Sequence, residues 1–146
     1  MNELQEFIFD KKTQVNLISF LKQYGIHGLE QALKAYINCQ QEYICKNKTS
    51  ISKINIYDIY YLEIQKHNIT IYTTNGTYKK YGSLNNELKF LSHYNFIKCN
   101  QSCIVSLKKI KTICNNYIIL TNNTKIHMSR NYASKVILSF FCISSL

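Results

Sequence analysis

Ile59-Tyr60-Tyr61-Leu62-Glu63-Ile64, Gln65-Lys66-His67-Asn68, Ile69-Thr70-Ile71-Tyr72-Thr73 and, past Asn75-Gly76, Thr77-Tyr78-Lys79-Lys80-Tyr81 make up the stretch that decides the fold. Its runs are short, rich in β-branched and aromatic side chains, and bounded by polar residues and glycine, the texture of strands rather than helices. Asn75-Gly76 favours positive φ and so a tight hairpin. The reading is an antiparallel meander.

Working outward, Tyr43–Lys46 and Ser50–Ile54 read as strands around a polar turn. Downstream, Ser83 can cap a helix to Leu91 whose stripe is Leu84, Leu88 and Leu91. Further strands are expected near Phe96–Lys98, Lys109–Cys114, Tyr117–Leu120 and Lys125–His127, turned by Asn115-Asn116 and Asn122-Asn123. Ser129 then caps a last helix with Tyr132, Val136, Ile137 and Phe140 on one face.

The first forty residues differ in kind. Leu17, Ile18, Phe20, Leu21 and Tyr24 share one side of a helix for which Thr13 is the candidate cap, and Ala32, Leu33, Tyr36 and Ile37 form a second stripe beyond Gly25 and Gly28. The expectation is a helical hairpin too small to fold alone, packing either on its own β-domain or on a second copy. The chain therefore divides into residues 1–41, a helical extension, and 42–146, a β-domain.

Charge points to the partner. The chain carries 18 Lys+Arg against 8 Asp+Glu, a net +10. Residues 1–63 hold 7 of each sign, whereas 64–146 hold 11 basic residues against Glu87 alone. A one-signed field over a small domain attracts polyanions, and nucleic-acid phosphates are the usual target.

Other classes fare poorly. Six cysteines with no secretory signal ahead of them read as reduced cytosolic thiols. Cys99 and Cys103 lack a second close Cys/His pair to complete a zinc site, so no metal is expected. No Gly-x-x-x-x-Gly-Lys motif is present. With no oxyanion-type glycine loop, Cys99 or Cys103 with His127 does not make a persuasive nucleophile and base, so neither catalysis, a cofactor nor a small-molecule substrate is expected. The apolar run Val136–Leu146 is too short to cross a membrane.

A family resemblance sharpens this. Asp58-Ile59-Tyr60-Tyr61-Leu62-Glu63, His67, Thr73-Thr74-Asn75-Gly76, Ser83-Leu84 and Glu87-Leu88 resemble the first half of a LytTR domain. Phe96-Ile97-Lys98-Cys99-Asn100-Gln101-Ser102-Cys103-Ile104-Val105-Ser106 with Ile110 resembles its central Phe-Ile-Arg-x-x-x-Ser-x-x-Val-Asn signature, and Ser129-Arg130 its closing Ser-Arg. Order and spacing agree from about residue 42 to 142. Lys98 stands where Arg is usual, and Ser106 where Asn is usual.

The resemblance implies a mainly β fold of small stacked antiparallel sheets with short helices, whose edge loops enter successive major grooves. It implies a cytoplasmic transcription regulator that binds double-stranded DNA, as a homodimer on direct repeats if the hairpin pairs two chains. The family's base-reading positions fall on His67, Asn100, Gln101 and Arg130. Candidate phosphate contacts are Lys66, Lys79, Lys80, Lys98, Lys108 and Lys109. The phosphoacceptor domain usual in the family has no counterpart here, so phosphorylation control is not carried over. Two rival readings stay open: a LytTR-like partner that joins or inhibits another regulator through its helices, and a single-strand or RNA binder that stacks bases on surface tyrosines.

Overall fold

The computed structural model describes residues 10–39 and 41–144. They fall into two compact units that part between residues 40 and 41.

The N-terminal unit is a helical stretch, α1 (Lys11–Cys39), broken at Gly25, whose φ of 71° and ψ of −174° are not helical. The expected two-glycine connection is thus a one-residue break. Gly25 takes the conformation that L residues avoid, while Gly28 lies within the second helical segment, where a Cβ would fall 2.4 Å from Tyr24 Cβ. Asp10, not Thr13, is the cap: its Oδ1 accepts from the Thr13 amide at 2.7 Å and its carbonyl from Gln14 N at 3.0 Å. Those Thr13 hydrogen bonds hold the Asp10 carboxyl below the usual carboxylate range. Val15, Ile18, Tyr24, Ile26, Leu33, Tyr36 and Ile37 are each more than half exposed.

The second unit stacks three layers around a five-stranded antiparallel sheet of order β5-β4-β3-β7-β6. Its strands are β3 (Ile59–Gln65), β4 (Asn68–Thr73), β5 (Gly76–Tyr81), β6 (Phe96–Asn100) and β7 (Cys103–Ser106). The hairpin of β1 (Glu42–Lys46) and β2 (Ile51–Asn55) and the helix α2 (Leu84–Leu91) supply one core, in which Tyr43, Ile54, Leu84 and Leu91 meet Leu62, Ile71, Phe96 and Ile104. The second core joins Ile97, Cys99, Cys103 and Val105 to Ile118, Leu120 and Ile126. Those last residues come from a three-stranded sheet of β8 (Ile110–Ile113), β9 (Tyr117–Leu120) and β10 (Lys125–His127), and the helix α3 (Arg130–Ser144) adds Val136 to the same core. Alternation does this: Ile97 and Val105 face one layer, Phe96 and Ile104 the other.

Strand β7 was not among the strands expected from the sequence. Its four residues, Cys103 to Ser106, are buried on both faces, so no period-two pattern marks them. It nevertheless sits between β3 and β6.

A buried polar triad fastens the outer hairpin to this sheet. Tyr43 donates to Glu87 Oε2 at 2.5 Å, and Lys80 Nζ lies 2.8 Å from Glu87 Oε1 and 5.2 Å from the centre of the Tyr43 ring. Burial, then the bond and charge of Glu87, push the Tyr43 phenol far above its ordinary 10. The neutral phenol is thus favoured in the folded state, and its contribution is complete below pH 10 and declines as pH rises further. Tyr43→Phe should cost roughly 1.5–3 kcal/mol in urea unfolding at neutral pH, because a buried carboxylate loses a donor, and should lessen the alkaline fall in stability. An unchanged midpoint would show that the triad does not hold the hairpin.

Candidate nucleic-acid interface

Three segments converge at one end of the central sheet. The first is the two-residue turn between β3 and β4, where Gln65 pairs with Asn68 and Lys66 takes φ 59°, a conformation rare for a long side chain. His67 at its tip is exposed, its ring 5.4 Å from that of Tyr81, while its carbonyl accepts from Gly82 N at 2.9 Å. The second is the turn between β6 and β7, where Asn100 pairs with Cys103 and leaves Gln101 and Ser102 exposed. Ile64 N donates to Ser102 O at 2.9 Å, which ties the two turns together. The third is the start of α3: Ser129 N donates to Cys99 O at 3.0 Å, placing exposed Arg130 next to the second turn.

Asn100 departs from its expected role. It is only 8% exposed, its Oδ1 accepts from Ser102 N at 2.8 Å and Ser102 Oγ at 3.0 Å, and its Nδ2 donates to His127 O at 2.7 Å. Three of its four hydrogen-bonding positions are taken inside the protein. The side chain braces the turn that presents Gln101 rather than facing outward to a base.

The lysines also divide. Lys66 is in the His67 turn, and exposed Lys79 lies on β5 opposite Thr70, towards the same end of the sheet. Lys80 is spent on Glu87 with 17% of its side chain exposed, so it is withdrawn from the phosphate set. Lys98 lies on edge strand β6, where it lines a groove of about 690 Å³ with Tyr132 and Lys135. Lys108 and Lys109 follow β7 at its other end, roughly 13 Å from the Gln101 turn, and Lys109 sits over the Tyr57 ring at 4.2 Å.

Two residues not expected at this surface from the sequence complete it. Lys125 and His127 of β10 are exposed and line, with Glu63, Gln101, Ser102 and Ser129, a hollow of about 420 Å³. Lys125 lies 4.0 Å above the Tyr117 ring. The available signal was the Lys-x-His spacing, which puts both side chains on one face of a strand. Beside them Tyr61, stacked on Tyr72 at 4.3 Å, has its phenol pushed up to about 12, chiefly by burial. Among the described residues no three His, Cys, Asp or Glu side chains gather as a metal would require, and no helix is long and apolar enough to cross a membrane.

Comparison with known proteins shows the family to which the domain belongs. Residues 49–138 match the LytTr DNA-binding domain. The chain belongs to the LytTR family. It is 34% identical over 83 residues to the sensory transduction protein LytT of Enterococcus faecalis, a match that covers 53% of this chain and about a third, 34%, of that protein. In structure it is similar to the LytTr DNA-binding domain of a Bacillus cereus protein described as a methyl-accepting/DNA response regulator. The TM-score there is 0.60 at 21% identity, with 67% of this chain and 94% of the other covered. The mainly β architecture of small antiparallel sheets expected from the sequence is thus the family's fold, preceded here by the long helix α1.

Asn100→Ala should lower stability by about 1–3 kcal/mol in urea unfolding and speed hydrogen exchange at the Ser102 amide. Wild-type stability and exchange would deny Asn100 its bracing role.

Proposed function

We infer that this protein is a sequence-specific regulator of transcription that reads double-stranded DNA in successive major grooves. The observation that carries the reading is the convergence of His67, Gln101 and Arg130, each exposed, at one end of the central sheet through backbone bonds that lock three turns together. A Gln amide can pair with N6 and N7 of adenine, a guanidinium with O6 and N7 of guanine, and an imidazole can give or take one bond. Lys66, Lys79 and Lys125 surround them as phosphate contacts that set register. Lys98, Lys108 and Lys109 belong to more distant phosphates on a duplex that continues past the reading end.

Arg130 is the sharpest member of the set. It is the sole arginine among 18 basic residues, in a chain that uses lysine everywhere else. A guanidinium donates two parallel bonds and an ammonium cannot, and this one stands exposed at the first residue of α3, beside the Gln101 turn.

The apolar face of α1 supports pairing of two chains. A helical unit whose apolar side chains lie open gains stability by burying them against a second copy, and two linked domains would bind direct repeats through effective concentration.

The test is a titration of the full chain with a duplex selected from random sequence and with an unrelated duplex. Arg130→Lys should lose about 1–3 kcal/mol on the selected duplex and little on the unrelated one, whereas Lys79→Ala should weaken both and lower the salt slope by about one unit. Equal losses for Arg130→Lys on both duplexes would remove it from the reading set. Binding of neither duplex would favour a regulator that acts through a partner, and preference for unpaired strands a single-strand binder. A stoichiometry of one chain per two-repeat duplex would remove the pairing role of α1.

A further inference from the structure

Directly beneath the Gln101 turn lie two thiols that the DNA-reading surface does not use. In the β6–β7 ladder Lys98 pairs with Ile104 and Asn100 with Cys103, so Cys99 is the extra residue of a bulge facing Cys103. Both side chains enter the same core, and Cys99 Sγ lies 3.9 Å from the Cys103 carbonyl oxygen. A bulged residue and the residue opposite it fall within the span a disulfide requires, about 4.4–6.8 Å between Cα atoms. Both thiols are buried, Cys99 fully and Cys103 to 4% exposure, and Cys103 is the one that lines the floor of the hollow beside Gln101. Its thiol also donates to Glu63 Oε2 at 3.7 Å, which gives its proton a place to go.

We propose that Cys99 and Cys103 form a peroxide-reactive dithiol site that closes to a disulfide beneath the Gln101 turn and weakens DNA reading. The Cys103 thiolate attacks one oxygen of a hydroperoxide; the O–O bond breaks, the alcohol or water leaves, and Cys103 becomes a sulfenic acid. The Cys99 sulfur then attacks the Cys103 sulfur, the S–O bond breaks, and hydroxide departs with the Cys99 proton as water. Two thiols are oxidised by two electrons, and the peroxide is reduced. The Cys99 thiol, hydrogen-bonded to its neighbour, draws the Cys103 thiol below the ordinary thiol value against burial and Glu63, while that bond and burial hold Cys99 well up. Attacker and resolving thiol are thereby distinguished. Closing the bond draws β6 against β7 across the Asn100 brace and displaces Gln101. That consequence rests on the DNA-binding reading, but formation of the bond does not.

The experiment treats the full chain, with Cys114→Ser and Cys142→Ser to silence the more exposed thiols, with hydrogen peroxide. Peptide mass mapping and duplex titration follow, each repeated after dithiothreitol. The proposal expects a 99–103 cross-link seen as the loss of two hydrogen atoms, about a tenfold fall in affinity for the selected duplex, and recovery of both on reduction. Cys103→Ala should bind the duplex and ignore peroxide; if it fails to fold, Cys99→Ala should form no cross-link and leave Cys103 to pass from sulfenic to sulfinic acid. Thiols left intact, or Cys103 carried to sulfinic acid without a cross-link, would overturn the site. A cross-link with unchanged affinity would overturn its effect on reading. A reduced protein that binds no duplex would count against the DNA reading, and the mass map would still decide the disulfide.

Discussion

Strand β7 has no exposed face: β3 lies on one side, β6 on the other, and its alternate side chains enter two different cores. The whole candidate interface hangs from this arrangement. Pairing with β3 brings Ser102 to Ile64 and so the Gln101 turn to the His67 turn, and pairing with β6 brings Cys99 to the backbone of Ser129 and so Arg130 to both. Three loops far apart in sequence are positioned by a strand of four residues. Rigid backing of this kind is what base readout demands, since the hydrogen bonds are short and directional.

Charge and geometry divide the work. The basic excess after residue 63 is a one-signed field of the kind that attracts polyanions, but the structure does not give every lysine the same surroundings. Lys80 is held by Glu87 and serves the fold, Lys109 lies over Tyr57 at the other end of β7, and Lys66, Lys79 and Lys125 stand towards the end that carries the His67 and Gln101 turns. On the proposed reading, diffuse attraction would come from the whole set, and register from the few lysines near the His67 and Gln101 turns.

Much of this was legible in the residues because the signals are local. Asn75-Gly76 announced one hairpin, the short runs of Ile59–Tyr81 announced three strands, and Ser83 announced α2, whose Asn86 amide it does cap. What escaped reading depends on long-range placement. Tyr43 and Glu87 are 44 residues apart, so nothing in sequence links them or frees Lys80 from suspicion as a phosphate contact. Asn100 and Gln101 are adjacent amides of similar chemistry, and only the carbonyl of His127 decides that the first turns inward. Burial on both faces erased the alternation that would have exposed β7, and Asp10 displaced Thr13 as cap because either residue type can fill that role.

The proposed function requires that one end of the five-stranded sheet be the surface that meets DNA. Amide chemical-shift mapping of the full chain titrated with a selected duplex tests it most directly. The largest changes should fall at residues 65–68, 100–102 and 125–131, with smaller ones along β5 near Lys79. Changes centred instead on residues 107–109, or on the α1 helix with the three turns silent, would contradict it.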